Sequence, residues 1–257
     1  MSGFSESDLT CNDFLGGRVR LLQPLKGYRA GVDPVLLAAS VGAEPGDSVL
    51  ELGCGAGQAL LCLGARLDGL SLTGVEVQGA YADLARRNAA LNGQVVEVLE
   101  ADLAALPPAL RQRQFSRVIA NPPYYRTGAH CQAHDAGRRV ALGEETPLQA
   151  WISVAAKRLA PRGSLHMIQR ADRLPDMLMA CEGRLGSIEV LPLAPRQGRA
   201  AELVILRACK GGRAAFRLHA PLVLHEGLRH EQDGESYTCE ISAVLRQAAP
   251  LPWPSSR

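Results

Sequence analysis

The stretch SVLELGCGAGQ, residues 48–58, decides the fold class of this chain. Its apolar first half is typical of a buried β-strand. Gly53, Gly55 and Gly57 predict a tight turn in which the backbone can approach a ligand closely. The helix-like QALLCLGARL follows directly, and a helix that begins at such a turn points its free N–H groups at the ligand. The stretch therefore predicts one strand–turn–helix unit of a ligand-binding α/β fold.

The same alternation continues along the chain. Further β-like runs occur between helix-like segments, at residues 70–76, 94–102, 116–121 and 163–170. Strands and helices that alternate at this spacing predict a mostly parallel sheet with helices on both faces. The alternation stops near residue 186, where two β-like runs follow without a helix. An antiparallel pair is therefore expected to close the sheet.

Length and composition favour an ordinary globular protein. The chain has 257 residues, of which 47% are hydrophobic and 21% charged, and its formal net charge is +2. These values argue against a disordered chain or a strongly basic one. We predict a single domain over residues 1–257, with an N-terminal segment (1–45), a core (46–210) and a C-terminal extension (211–257) whose proline-rich end is frayed.

The sequence also gives expectations about the compartment and about metals. The start MSGFSESDLT carries acids and no basic region, and no apolar run reaches the length of a membrane span. The seven cysteines are scattered without a CxxC pair, and the six histidines form no HExxH motif. We therefore expect a cytoplasmic protein with buried, reduced thiols and without a metal site.

Acidic residues near the glycine turn indicate the ligand. A dinucleotide-binding fingerprint needs a small residue where Gln58 stands. Glu51 precedes Gly53 by two residues, and its carboxylate suits the ammonium group of S-adenosylmethionine better than a phosphate. Glu76 ends the next strand, where it can accept hydrogen bonds from ribose hydroxyls, and Asp102 ends the third, where it can face an adenine amino group. Since the carboxyl ends of parallel strands meet at one edge, these side chains should line one crevice.

The segment NPPYY, residues 121–125, ends the fourth strand at the same edge. Two successive prolines hold the backbone in an extended turn. The Asn121 side-chain oxygen and the Pro122 carbonyl can then accept hydrogen bonds from a planar amino group, whose nitrogen is otherwise a poor nucleophile. Tyr124 can stack on a flat base or amide. This motif predicts methylation of a planar amine.

Most of the chain resembles a known family. It is similar to the class I S-adenosylmethionine-dependent methyltransferases of the amino-methylating NPPY group. More closely, it resembles the bacterial tRNA (adenine-N6) methyltransferases that modify the adenine 3′ of the anticodon of valine tRNA. The segments that carry the resemblance are LLQPLKGYRAGVDPVLLAA (21–39), VLELGCGAGQALLCLGAR (49–66), GVEVQGAYADLARRNAALNG (74–93), VIANPPYY (118–125), LAPRGSLHMIQRADRLPDML (159–178) and LPLAPRQGRAAELVILRACKG (191–211).

The resemblance implies a Rossmann-like sheet of seven strands, mostly parallel, with a C-terminal antiparallel hairpin. It also implies that residues 1–45 pack over S-adenosylmethionine. The cofactor-binding residues that it implies are Gly31, Asp33, Glu51, Gly53, Gly55, Gly57, Glu76, Asp102 and Asn121. The catalytic residues that it implies are Asn121, Pro122, Pro123 and Tyr124.

The substrate is expected to be RNA, and most specifically a tRNA. Basic residues are the main source of RNA affinity, and they recur in PRQGR (195–199), in RACKGGR (207–213) and at Arg217. The segment 126–145 is expected to order over the target base. Candidate substrate contacts are Tyr125, Arg138, Arg139, Arg196 and Arg199.

Alternatives remain open at this point. NPPY motifs also serve DNA adenine methyltransferases and the enzymes that methylate glutamine in release factors. The glutamine enzymes usually carry a separate N-terminal helical domain, whereas the cofactor loop here begins by residue 49. A non-catalytic nucleotide-binding module is a further alternative. The sequence does not decide between a monomer and a homodimer, or between one and two added methyl groups.

Overall fold

The stretch that contains the glycine turn builds the middle of the main sheet. The computed structural model describes residues 3–126, 143–144, 146–227 and 236–253. Its strands are β1 (Leu9–Phe14), β2 (Val19–Pro24), β3 (Ser48–Leu52), β4 (Ser71–Glu76), β5 (Val96–Glu100), β6 (Phe115–Ala120), β7 (Tyr125–Arg126), β8 (Gly143–Glu144), β9 (Leu159–Arg170), β10 (Gly186–Ala194), β11 (Leu203–Cys209), β12 (Arg217–Leu218) and β13 (Leu222–Val223). Its helices are α1 (Asp33–Ser40), α2 (Gln58–Arg66), α3 (Gly79–Leu91), α4 (Pro108–Arg111), α5 (Leu148–Arg158), α6 (Leu174–Cys181) and α7 (Cys239–Gln247).

The order of the strands explains the position of the crevice. The main sheet runs β12-β10-β11-β9-β6-β3-β4-β5, and β13 also pairs with β10. Strands β5, β4, β3, β6 and β9 are parallel neighbours. Strand β11 is antiparallel to both β9 and β10, which confirms the predicted closing pair. The chain leaves β3 towards β4 on one side and reaches β6 on the other, so a crevice opens beyond the carboxyl end of β3.

Apolar residues cover both faces of the sheet, as the strand–helix alternation predicts. One core cluster joins the N-terminal hairpin and helices α1, α2, α3 and α7 to the sheet. The other joins α4, α5 and α6 to the opposite face. Val49, Leu50 and Leu52 of β3 are completely buried, because helices cover this strand on both sides. The carboxyl edge is the part of the central strands that a ligand can reach.

An N-terminal hairpin, which the sequence analysis did not predict, lies against α3. Strands β1 and β2 pair antiparallel. Asn88, which is fully buried, accepts a hydrogen bond from Leu22 N at 2.8 Å and donates to Leu22 O at 3.1 Å. Asn92 makes the same pair of bonds with Arg20, at 2.8 and 2.7 Å. Asn88 also donates to Ala56 O in the glycine turn at 3.0 Å, so the hairpin and the turn are held by one side chain.

Some local expectations are corrected. The end of the chain was expected to fray, but Leu251 is buried and its N–H donates to Ala39 O at 2.9 Å. Trp253 donates its indole N–H to Glu189 at 3.0 Å. The prediction of a frayed end is wrong up to Trp253, because Leu251 packs into the core and Trp253 binds the Glu189 carboxylate.

The cysteines and the helices bear on the remaining expectations. Cys54, Cys62 and Cys181 are buried as predicted, whereas Cys11 and Cys239 are exposed. Within the described ranges, no helix combines the length and the apolar character needed to cross a membrane. The absence of a metal stays a prediction.

Candidate active site

The glycine turn after β3 depends on its glycines for two different reasons. Gly53, Gly55 and Gly57 have φ angles of +65°, +53° and +86°, a region that side-chain-bearing residues rarely adopt. At Gly53 a Cβ would also lie 2.5 Å from Trp151 Cη2. At Gly55 a Cβ would meet no described atom within 4 Å, because this glycine faces the open crevice. The turn is thus packed on one side and accessible on the other.

Glu51 carries a buried carboxylate without a full set of partners. The side chain is 3% exposed, and its Oε2 atom accepts no hydrogen bond from the described residues. Burial raises the pKa of Glu51 well above its ordinary value, a backbone hydrogen bond at Leu60 opposes the rise, and the charge of Glu76 adds to it. A buried acceptor without a partner is costly, so this oxygen is suited to a cationic or N–H-bearing ligand.

Glu76 holds the turn together. Its Oε2 accepts a hydrogen bond from Gly55 N and its Oε1 accepts one from Gln78 N, both at 2.9 Å. Burial raises the pKa of Glu76, and these two backbone donors act in the opposite direction. Each carboxylate oxygen has a second lone pair, so the side chain can still accept ligand hydroxyls while it fixes the turn.

Asp102 lies at the outer end of the same crevice. It is exposed, and its Oδ1 accepts a hydrogen bond from Ala104 N at 2.8 Å. This bond caps the short 3-10 turn at Leu103–Ala105. Strand β5 ends at Glu100, so Asp102 follows the strand instead of ending it as predicted, but it still lines the crevice.

The NPPY motif brings a second unsatisfied oxygen to the crevice. Asn121 Oδ1 is buried and finds no hydrogen-bond donor among the described residues. Pro122 and Pro123 each accept a hydrogen bond at 3.3 Å from Gln169 Nε2, an amide that is fully buried on β9. The prolines thus turn the chain and leave the Asn121 oxygen without a donor among the described residues.

Tyr124 is anchored by its hydroxyl. The hydroxyl donates to Asp33 Oδ2 at 2.5 Å. Burial and the nearby charge of Asp33 raise the pKa of Tyr124. Burial also raises the pKa of Asp33, and the hydrogen bond from Tyr124 opposes that rise. The bond fixes the neutral phenol ring beside the crevice and ties the motif to the start of α1.

The structure brings most predicted site residues to one cavity. Its wall contains Glu51, Gly53, Gly55, Glu76, Asp102, Asn121, Pro122, Pro123 and Tyr124. Three others stand outside the lining of the described cavity. Gly57 is the N-cap residue before α2, Gly31 O accepts a hydrogen bond from Gln58 Nε2 at 3.1 Å, and Asp33 accepts one from Tyr124.

The predicted substrate contacts are more dispersed. Arg196 donates to Glu226 O and to Ser236 Oγ, the latter at 3.0 Å, and Arg199 is exposed. Neither lines the cavity. Arg138 and Arg139 lie outside the described residues, as does most of the 126–145 segment expected to cover the target base. The side chain of Tyr125 is also outside the description.

The N-terminal segment contributes residues that the sequence analysis missed. Tyr28, Gln23 and Pro24 line the cavity. The backbone N–H of Tyr28 donates a hydrogen bond to the Tyr81 hydroxyl oxygen at 2.9 Å. Burial raises the pKa of Tyr28 to about 12, with the charges of Asp33 and Glu51 adding to the rise. The quoted GYRAG segment was the signal that could have identified Tyr28.

The cavity floor was also missed. Trp151 on α5 lines the cavity together with Thr146, and its indole N–H donates to Thr146 O at 3.2 Å. Aromatic residues make up only 4% of the sequence, but Trp151 stands in a helix with an apolar face, which is equally typical of a core residue. Only the packing against Gly53 shows that it reaches the site.

Comparison with known proteins identifies the class. The fold is that of a Rossmann-like class I methyltransferase, as predicted. The sequence pattern of the family described as "Methyltransferase small domain" matches residues 32–191, more than half of the chain. This chain belongs to that family.

Two curated relatives extend the match. A tRNA1(Val) (adenine(37)-N6)-methyltransferase of Porphyromonas gingivalis is 32% identical over 182 residues, which cover 64% of this chain and 69% of the relative. The protein of the same name from Dickeya chrysanthemi is 25% identical over 224 residues, or 85% of this chain and 86% of the relative.

Solved structures agree with the fold. A crystal structure of a predicted O-methyltransferase from Agrobacterium tumefaciens is 30% identical and has a TM-score of 0.67, over 82% of this chain and 94% of that one. A 16S rRNA N2 G1207 methyltransferase of T. thermophilus, in complex with AdoMet and guanosine, has a TM-score of 0.55 at 22% identity, over 79% of this chain and 50% of that one. The second likeness concerns the fold alone.

Proposed function

We propose that this enzyme transfers a methyl group from S-adenosylmethionine to the exocyclic N6 nitrogen of an adenine in RNA, and that the target is the tRNA adenine 3′ of the anticodon. The observation that carries the proposal is a pair of buried oxygens in one cavity, Glu51 Oε2 and Asn121 Oδ1, to which the described part of the chain donates no hydrogen bond. The first suits a cationic cofactor group and the second suits an amino group. The names of the curated relatives support the choice of substrate.

The residues present fit S-adenosylmethionine. Glu51 would hold the ammonium group of the methionine part, because its buried Oε2 atom receives no hydrogen bond within the described ranges. Glu76 would accept the ribose hydroxyls with the lone pairs that the turn leaves available. Asp102 would face the adenine at the outer end of the cavity. The turn from Gly53 to Gly57 would supply the close backbone approach. When bound, this cofactor supplies a methyl group that is activated by a sulfonium.

The acceptor amine is activated by position and by hydrogen bonding. The lone pair of an adenine N6 is delocalised into the ring. Asn121 Oδ1 and the Pro122 carbonyl would accept its two N–H bonds, which favours a more pyramidal nitrogen and stabilises the charge that develops on it. The neutral Tyr124 ring would stack on the base. The methylated nitrogen is strongly acidic and releases its extra proton to water, so no side chain has to act as a base.

The N-terminal segment, residues 1–45, is proposed to cover the bound cofactor. Its described part supplies Gln23, Pro24, Tyr28, Ala30 and Pro34 to the wall of the cavity. The hairpin within it is fastened to α3 by two asparagines, as described above. We assign residues 46–210 to the catalytic core on the same basis, and residues 211–257 to a C-terminal extension.

The topology separates the basic residues into two groups. Strand β10 runs parallel to β6 and β9, because β11 between them is antiparallel to both of its neighbours. Arg196 and Arg199 follow the carboxyl end of β10 and therefore lie at the same edge as the NPPY motif. Arg217 pairs in register with Glu189, near the start of β10, and belongs to the opposite edge. Arg196 and Arg199 are the proposed phosphate contacts.

The experiment is a methyl-transfer assay with tRNA. Unmodified tRNA from a strain that lacks the gene is incubated with the enzyme and labelled S-adenosylmethionine, then digested to nucleosides. Labelled N6-methyladenosine is expected. Asn121→Ala should lower the rate by about 10²–10³-fold, while cofactor affinity stays within threefold of the wild type. Gln112→Ala, which removes an exposed side-chain amide that is not part of the described cavity lining, is the control and should keep its activity.

Two results would overturn the proposal. Label in a glutamine of a release-factor-type peptide, with none in tRNA, would favour protein methylation. Cofactor binding without transfer to either acceptor would favour a non-catalytic module. Full activity of the Asn121 variant would remove the proposed mechanism while leaving the substrate in place.

A further inference from the structure

The end of β6 poses a problem for the backbone that a side chain on β9 solves. Strands β6 and β9 are parallel, with Ala120 opposite Met167. Continuing this register by two residues places Pro122 opposite Gln169. Proline lacks an N–H group and cannot extend the ladder, yet β9 runs on to Arg170. The two strands therefore need another connection at the level of the catalytic motif.

The Gln169 side chain makes that connection. It is 0% exposed, and its Nε2 donates to both Pro122 O and Pro123 O at 3.3 Å. Its Oε1 accepts a hydrogen bond from Arg170 N at 2.9 Å. Both ends of the amide are thus engaged, and the Arg170 bond fixes which end faces the prolines. Gln169 itself is not part of the cavity wall in the described structure.

We propose that Gln169 is a positioning residue for the methyl transfer. The inference rests on the proposed function, in which the Pro122 oxygen accepts an N–H of the target amine. A carbonyl oxygen has two lone pairs, and the amide of Gln169 occupies one. It holds the peptide plane so that the other faces the substrate. Without it the plane can rotate, and a displacement of about 1 Å can cost about 10²-fold in rate.

The test compares variants of the full-length enzyme. Gln169→Met keeps the length of the side chain and removes the donor, and we expect kcat to fall by about 10–100-fold while KM for S-adenosylmethionine stays within threefold. Gln94→Met is the matched control. Its Nε2 donates to Leu61 O at 3.0 Å, so it also loses an amide-to-carbonyl bond, but away from the motif. It should keep kcat at temperatures where it is folded.

A pH profile separates positioning from a purely structural role. In Gln169→Glu an ionised carboxyl has no donor and repels both carbonyl oxygens, whereas a protonated carboxyl regains one O–H donor. The ratio of its kcat to that of the wild type should therefore rise as the pH falls. Thermal unfolding, followed alongside, identifies the conditions under which every variant is folded.

Two outcomes would overturn the positioning role. One is a folded Gln169→Met variant with kcat within twofold of the wild type. The other is a joint loss of kcat, cofactor affinity and folding in Gln169→Met, together with a ratio of Gln169→Glu kcat to wild-type kcat that does not change with pH. Wild-type transfer to tRNA is the arm that tests the proposed function. If the wild type methylates only the glutamine peptide, the proposed RNA methylation fails. The ratios of variant kcat to wild-type kcat, measured with the peptide, then still decide the role of Gln169.

Discussion

The contact between the glycine turn and α5 gives the sharpest prediction, through Gly53→Ala. A Cβ at this position would lie 2.5 Å from Trp151 Cη2, and the φ angle is +65°. The left-handed backbone costs about 1–2 kcal/mol for a residue with a side chain. The overlap with a packed ring adds about 1–3 kcal/mol. The variant should therefore lose about 2–5 kcal/mol of unfolding free energy.

Two other glycines divide this loss into its parts. Gly93 has a φ of +62° and no described atom within 4 Å of a Cβ, so Gly93→Ala should show only the backbone cost. Gly55→Ala, with a φ of +53° and equal room, should match it in stability. Because Gly55 lines the cavity, its variant should in addition bind S-adenosylmethionine more weakly. Urea unfolding of the ligand-free proteins and calorimetric titration measure the two effects.

If Gly53→Ala costs no more than Gly93→Ala, the ring does not restrict the turn. A second check uses the double variant: in a Trp151→Leu background the excess cost of Gly53→Ala should disappear. An unchanged excess would place the restriction elsewhere.

Four further predictions concern charge and hydrogen bonding. Glu76→Ala should weaken cofactor binding by about 10-fold or more, since two turn N–H groups also lose their acceptor; unchanged calorimetric affinity would contradict this. The pKa of Glu51 is raised in the folded protein, so the folded state loses stability relative to the unfolded state as the pH rises above the ordinary glutamate pKa. Glu51→Gln should therefore stabilise the ligand-free protein by about 1–3 kcal/mol at neutral pH and flatten the pH dependence measured by urea unfolding. The same variant should weaken cofactor binding. Tyr124→Phe should cost about 1–3 kcal/mol because the half-buried Asp33 carboxylate loses its hydrogen bond from Tyr124, with cofactor affinity unchanged in calorimetry. Arg199→Glu should weaken tRNA binding and lower the slope of log binding constant against log salt concentration by about one counterion or more. Arg217→Glu, at the opposite edge of the sheet, should change neither quantity. Filter binding at several salt concentrations measures both.

The parts of the site that the sequence predicts are those that follow one strand each. Glu51, Glu76 and Asn121 stand at strand ends, and parallel strands carry their ends to one edge whatever the details of packing. The glycine turn is equally local, because its residues are required by their own backbone angles. These features are visible in a linear pattern.

The missed residues depend on contacts between distant parts of the chain. Trp151 becomes a cavity residue because α5 packs across the turn, and Gln169 reaches the prolines because of the register between β6 and β9. Tyr28 enters through a hairpin whose position is set by the asparagines of α3. None of these contacts has a sequence spacing that a local pattern records. The pairing of Asp33 with Tyr124 similarly joins two predicted site residues in a way that neither motif indicates alone.

The most direct test of the account is a crystal structure with S-adenosylhomocysteine and an oligonucleotide that contains the target adenine. We predict the adenine N6 at about 2.7–3.2 Å from both Asn121 Oδ1 and Pro122 O, with the ammonium group of the cofactor beside Glu51. An Asn121 amide turned away from N6, or a cofactor bound outside this cavity, would contradict it.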